Sequence, residues 1–107
     1  MTVTGTLMRR TFPGPPNYAS VRQGDRPETY WLLRLDESVC PDRAVGAQEE
    51  RGPVRVLQML FRDANDYRRY GILVGRRVAV TGPLVEAHTG HHKTPLLIQV
   101  EAVKRAP

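Results

Sequence analysis

The chain has 107 residues, of which 40% are hydrophobic and 25% charged, ordinary values for a globular protein. That length fits one domain, residues 1–107, with one modest core, and excludes a two-lobed enzyme with a cleft between lobes. A formal charge of +5 and a pI near 10.0 favour an acidic partner, and no apolar run reaches the roughly 20 residues of a bilayer-crossing helix.

Nine glycines and nine prolines point to a loop-rich β chain rather than a helical bundle. The first strand is predicted over 2–9, where Val3-Thr4-Gly5-Thr6-Leu7 is echoed later by Val80-Thr81-Gly82-Pro83-Leu84. A glycine at the same place in both pentapeptides marks a bend or bulge, as at the corners of a small closed sheet. Residues 10–27 then read as a loop stiffened by Pro13, Pro15 and Pro16, with a turn at Gly24-Asp25-Arg26-Pro27.

The second strand, 28–36, places Trp31, Leu33 and Leu35 on one face and Tyr30, Leu32 and Arg34 on the other. Cys40 stands alone in the chain, so no intramolecular disulfide forms, and it reads as a buried small hydrophobe rather than a nucleophile. Residues 36–53 are poor in apolar side chains and read as a solvated connection. The third strand, 53–61, is apolar on both faces towards its end and is expected to be covered twice.

One helix follows, with Asp63 as N-cap and an apolar stripe of Tyr67, Tyr70 and Val74; Gly71 keeps it short, and Gly75 suits its C-terminal turn. The fourth and fifth strands are predicted over 76–85 and 96–104. The order β-β-β-α-β-β predicts an all-β fold with one short helix, the five-stranded Greek-key barrel of the OB-fold. Its expected core is Trp31, Leu33, Leu35, Val78, Val80, Leu84, Ile98 and Val100.

Between the last two strands lies His88-Thr89-Gly90-His91-His92-Lys93-Thr94, which holds all three histidines of the chain. In an OB-fold the loops joining strands one to two and four to five flank the binding face, so topology brings this segment, 86–95, beside the proline loop, 10–27. The expected ligand-binding residues are Phe12, Tyr18, Tyr30, His88, Thr89, His91, His92 and Lys93: rigid rings as anchors, polar groups for direction.

A zinc site would need a further ligand such as Glu86 or Cys40, and adjacent histidines on an extended loop point apart; no metal and no cofactor are expected. Catalytic signatures are absent as well: no G-x-S-x-G, no phosphate-cradling glycine loop, no carboxylates bracketing a cleft. Glu86 beside His88 lacks the burial that would tune an acid/base pair, so no catalytic residue and no enzymatic activity are expected.

The segments Arg10-Thr11-Phe12-Pro13-Gly14-Pro15-Pro16-Asn17-Tyr18, Glu28-Thr29-Tyr30-Trp31-Leu32-Leu33, Val78-Ala79-Val80-Thr81-Gly82 and His88-Thr89-Gly90-His91-His92-Lys93-Thr94-Pro95 together resemble a family of short bacterial proteins classed as a domain of unknown function. Members usually begin with an export signal, so the resemblance implies a periplasmic or envelope location. This chain shows no such signal, and Met1 directly before a strand reads as a start codon on a trimmed chain.

The expected function is therefore a non-catalytic binding module of the bacterial envelope. It would hold a protein partner or an anionic envelope polymer between the 10–27 and 86–95 loops, for example as an inhibitor or immunity protein. A single-stranded nucleic-acid-binding module ranks second: charge and fold favour it, but an aromatic content of 7% is thin for a stacking surface and Tyr30 is its one good candidate on strands two and three.

Overall fold

The structure, a computed structural model, describes residues 1–40, 52–87 and 92–107. It is mostly β-sheet with one short helix. The strands are β1 (Thr2–Pro13), β2 (Pro27–Val39), β3 (Val54–Leu60), β4 (Arg77–Thr81), β5 (Leu84–Glu86), β6 (Leu96–Gln99) and β7 (Ala102–Arg105), with α1 (Ala64–Tyr70) between β3 and β4. They form one seven-stranded mixed sheet in the order β5-β6-β3-β2-β1-β4-β7, in which only β3 and β6 run parallel.

Seven strands stand where the sequence predicts five, because each of the last two predicted strands is divided. Gly82-Pro83 separates β4 from β5: a Cβ at Gly82 would overlap the carbonyl oxygen of Gln99, and Pro83 has no N–H to give to a ladder. Opposite, the parallel β3–β6 ladder ends with the Val100 N–H on Leu60 O, and Val100-Glu101 separate β6 from β7. Gly5, in the echoed pentapeptide, meets the same demand without a break; a Cβ there would overlap the Arg34 carbonyl of the paired strand β2.

Period two sets the core. Val3 and Leu7 of β1, Trp31, Leu33 and Leu35 of β2, Leu57 and Met59 of β3, Val78 and Val80 of β4, Leu84, Leu96, Ile98, Val100 and Val103 form a single buried cluster, which contains every core residue expected from the sequence. Leu32, Gln58 and Leu97 face the other way, in register across β2, β3 and β6, and are buried too. The double covering expected for β3 is thus present at Gln58 and Met59.

Two further boundaries move. β1 and β2 extend through residues read as loop, pairing Arg10 with Tyr30, Phe12 with Glu28 and Pro13 with Pro27, so the proline loop is confined to 14–26. Alternation continues through Thr11 and Phe12, and Pro13 ends the strand where its missing N–H costs nothing. β2 also runs on to Val39, with a bulge against β3 whose carbonyls at Leu35 and Asp36 accept from the Arg55 guanidinium. Cys40, just past the end of β2, is exposed rather than buried, because the last sheet pairing of that strand is made by Val39 with Val54 and the chain beyond it packs no further into the core.

Helix α1 starts as predicted. The Asp63 carboxylate accepts from the N–H groups of Asn65 and Asp66, and the helix gives way at Gly71 to a single 3-10 turn. Gly75 then turns at φ 85° and donates to Leu7 O, returning the chain to β1.

Candidate functional site: an aromatic cage at the ribbon tip

The β1–β2 ribbon carries Arg10, Phe12, Glu28 and Tyr30 on one face, since positions two apart along a strand share a side. Phe12 and Tyr30 meet edge to face at 5.9 Å. The Tyr30 hydroxyl donates to Glu28 at 3.0 Å, and the Arg10 guanidinium lies over the Phe12 ring at 5.5 Å. Burial first, then the hydrogen bond and charge of Glu28, push the Tyr30 hydroxyl up to about 12.

Beyond the ribbon, the 14–26 loop is organised by one carboxylate. Buried Asp25 accepts from the backbone N–H of Asn17 at 2.9 Å and from those of Ala19 and Ser20 at 2.8 Å each. These N–H groups, that of Ser20 foremost, hold its pKa below the ordinary 3.8. The wrapped backbone puts Tyr18 at φ 55°, a left-handed conformation that an aromatic residue rarely takes. Its ring is thereby raised beside Phe12 and Tyr30.

The second loop arrives through buried Gln58. Its side-chain oxygen accepts the backbone N–H of Lys93 and its own N–H donates to Thr94 Oγ1 at 2.9 Å, while the Thr94 hydroxyl donates to Leu96 O. Fixed in this way, Lys93 extends its ammonium to 5.1 Å from the ring centre of Tyr18, 5.4 Å from Tyr30 and 5.9 Å from Phe12. All are within cation–π reach. A cage of three rings around one ammonium fastens the segment after the histidines to the proline loop.

Of the residues expected at the site, Phe12, Tyr18, Tyr30 and Lys93 are therefore brought together. His92 lies beside them, lining a cleft of about 640 Å³ with Arg9, Tyr30, Trp31, Gln58, Tyr67 and Arg68. His88, Thr89 and His91 lie outside the described residues, so the expected continuity from Phe12 to His91 is traced as far as His92. Among the described residues no cluster of three or more His, Cys, Asp or Glu side chains is placed to hold a metal, and no helix is long and apolar enough to cross a membrane.

Sequence reasoning missed Asp25, Gln58 and Thr94. Asp25 had a signal in the Gly24-Asp25 turn, since a carboxylate at a turn collects nearby N–H groups. Gln58 was visible as a polar residue inside an apolar strand. Thr94 had none, because its partners are 36 positions away and two positions on.

Residues 56–104 match a family model described as a domain of unknown function, DUF4431. The match spans β3 to β7, including the histidine segment, and omits the β1–β2 ribbon that supplies the three rings. No curated protein matches the chain.

Proposed function

We propose that this protein is a non-catalytic binding module of OB type, which holds a protein partner or an anionic polymer on the surface built from the 14–26 loop and the 86–95 segment. The observation that carries this reading is the Lys93 cage, which joins the two segments into one surface of rings and cations. An apolar anchor set beside polar donors is the composition of a recognition hot spot. The envelope location implied by the bacterial resemblance belongs to the same proposal.

The OB-type barrel is supported by strand order. β1, β2 and β3 form a meander, β3 runs parallel to β6, and β4 returns antiparallel to β1. The N–H groups of Gln99 and Glu101 donate to Pro83 O and Thr81 O, which link the β4–β5 and β6–β7 arms across their breaks. One face of all seven strands feeds a single core although α1 has only 7 residues to cover it, as expected when a sheet curls over itself.

The test uses a partner captured from an envelope extract, purified and titrated against the protein. Tyr18→Ala and Lys93→Ala are each expected to weaken binding about tenfold, the order of a hot-spot residue, measured at a temperature where each variant remains fully folded. Unchanged affinity in both variants would move the binding surface elsewhere.

A further inference from the structure

A second feature lies next to the cage. β2 and β3 pair only as far as Leu32 with Gln58; beyond that point β2 continues through Trp31, Tyr30 and Thr29 on β1 alone, while β3 continues through Met59 and Leu60 on β6. The strands part, and the 640 Å³ cleft occupies the space between them, closed at one side by Tyr67 and Arg68 of α1. Its size falls within the range of about 300–1,000 Å³ typical of ligand sites.

The chemistry of the lining is selective. Arg9, Arg68 and His92 bring cationic or donor groups from three different elements, and no carboxylate lines the cleft among the described residues. Trp31 forms part of the floor, with the Arg9 guanidinium 5.8 Å over its ring and Tyr67 against it edge-on at 5.6 Å. Tyr67 is 41% exposed: its ring leans on Phe61 at 4.7 Å and on Trp31, and the remainder of the side chain is open to the cleft.

We propose that this cleft binds single-stranded nucleic acid, with phosphates on Arg9 and Arg68 and a base stacked against Tyr67. Cations alone would serve any polyanion. Rings interleaved with guanidinium groups fit a chain that alternates flat bases with phosphates, and an acidic peptide would leave the rings unused. A duplex keeps its bases stacked on one another and offers the cleft none. The cleft shares Tyr30 and His92 with the loop surface, but neither Tyr18 nor Lys93 lines it, and on those two the proposal goes beyond that surface.

The experiment titrates fluorescein-labelled oligothymidylate and, in parallel, labelled polyglutamate of equal charge, at low and at physiological salt. The oligonucleotide is expected to bind the more tightly of the two. Arg68→Ala should weaken it about tenfold and flatten its salt dependence by about one phosphate's worth of counterion release. Tyr67→Leu should weaken it about tenfold through lost stacking while Tyr67→Phe retains it. Lys104→Ala, at an exposed position of β7 that does not line the cleft, is the charge control and should leave affinity within about twofold by the weakness of dispersed surface charge.

Equal binding of polyglutamate, equal losses from Lys104→Ala and Arg68→Ala, or no oligonucleotide binding at low salt would each overturn the proposal. Tyr18→Ala separates it from the loop reading. That variant should leave oligonucleotide binding intact whatever it does to the captured partner, and a loss there would place the strand on the loops instead of in the cleft.

Discussion

The core and the ribbon tip of this protein are stabilised in opposite ways. Leu7, Leu33, Leu57, Val78 and Ile98 are wholly buried, and each is one of many apolar side chains sharing the same enclosure. The tip depends on two charges: the Asp25 carboxylate that wraps the 14–26 loop and the Lys93 ammonium that docks the second loop on it. Apolar burial is redundant and indifferent to pH, whereas a loop held by one carboxylate is as stable as that carboxylate's ionisation. The ribbon tip can therefore be altered without unfolding the sheet that carries it.

The largest expected effect lies in the core. Leu33→Ala removes a side chain with no exposed surface and should cost about 2–5 kcal/mol by cavity formation, read as a fall in denaturation midpoint. A cost below about 1 kcal/mol would mean that the core is looser than its burial implies, and the contrast with the tip would collapse.

Asp25→Ala should act locally. Hydrogen exchange of Asn17, Ala19 and Ser20 is expected to accelerate while β4 and β6 stay protected. Acid should mimic it with a defined sign. The folded-state pKa lies below the ordinary 3.8, so the carboxylate's stabilisation is complete above that value and is lost as pH falls through the lower one. Loop protection, taken relative to the intrinsic exchange rate at each pH, that is flat from neutrality to pH 2 would show that something other than this carboxylate holds the loop.

Lys93→Ala should cost about 0.5–2 kcal/mol, the worth of a cation over aromatic rings, and Lys93→Arg should recover most of it. The check is a denaturation curve for each of the parent, Lys93→Ala and Lys93→Arg, with tyrosine fluorescence as the probe. Equal stability of all three proteins would leave the cage as proximity without energy.

The smallest effect is spectroscopic. Tyr30 should ionise near pH 12, and Glu28→Gln should bring it down by removing both the charged acceptor and its field. Because the folded value is raised, stability falls as pH climbs from the ordinary value of 10.0 towards 12. A Tyr30 titration that ignores Glu28→Gln would reduce the cause to burial alone.

Much of this molecule was legible in the chain itself. Alternation named the faces of β2 and the whole expected core, because a pleated strand sends successive side chains to opposite sides and only one side is enclosed. Asp63 and Gly71 set the ends of α1, because capping is decided within a few residues. The OB-type strand order set the expectation that Phe12, Tyr18, Tyr30 and Lys93 lie near one another, but the contact of Lys93 with the three rings is made through Gln58.

What the tertiary structure alone decided is long-range. The division of two strands at Gly82 and Val100 depends on backbones that meet only after folding. The left-handed turn at Tyr18 depends on a carboxylate seven positions later, and the Lys93 ammonium finds its cage through Gln58, 35 positions earlier. The cleft exists because β2 and β3 cease to pair at Leu32, leaving β2 to follow β1 while β3 follows β6. Local periodicity specifies which face is buried, but hydrogen bonds between distant segments decide where strands part, and that is where the cage and the cleft lie.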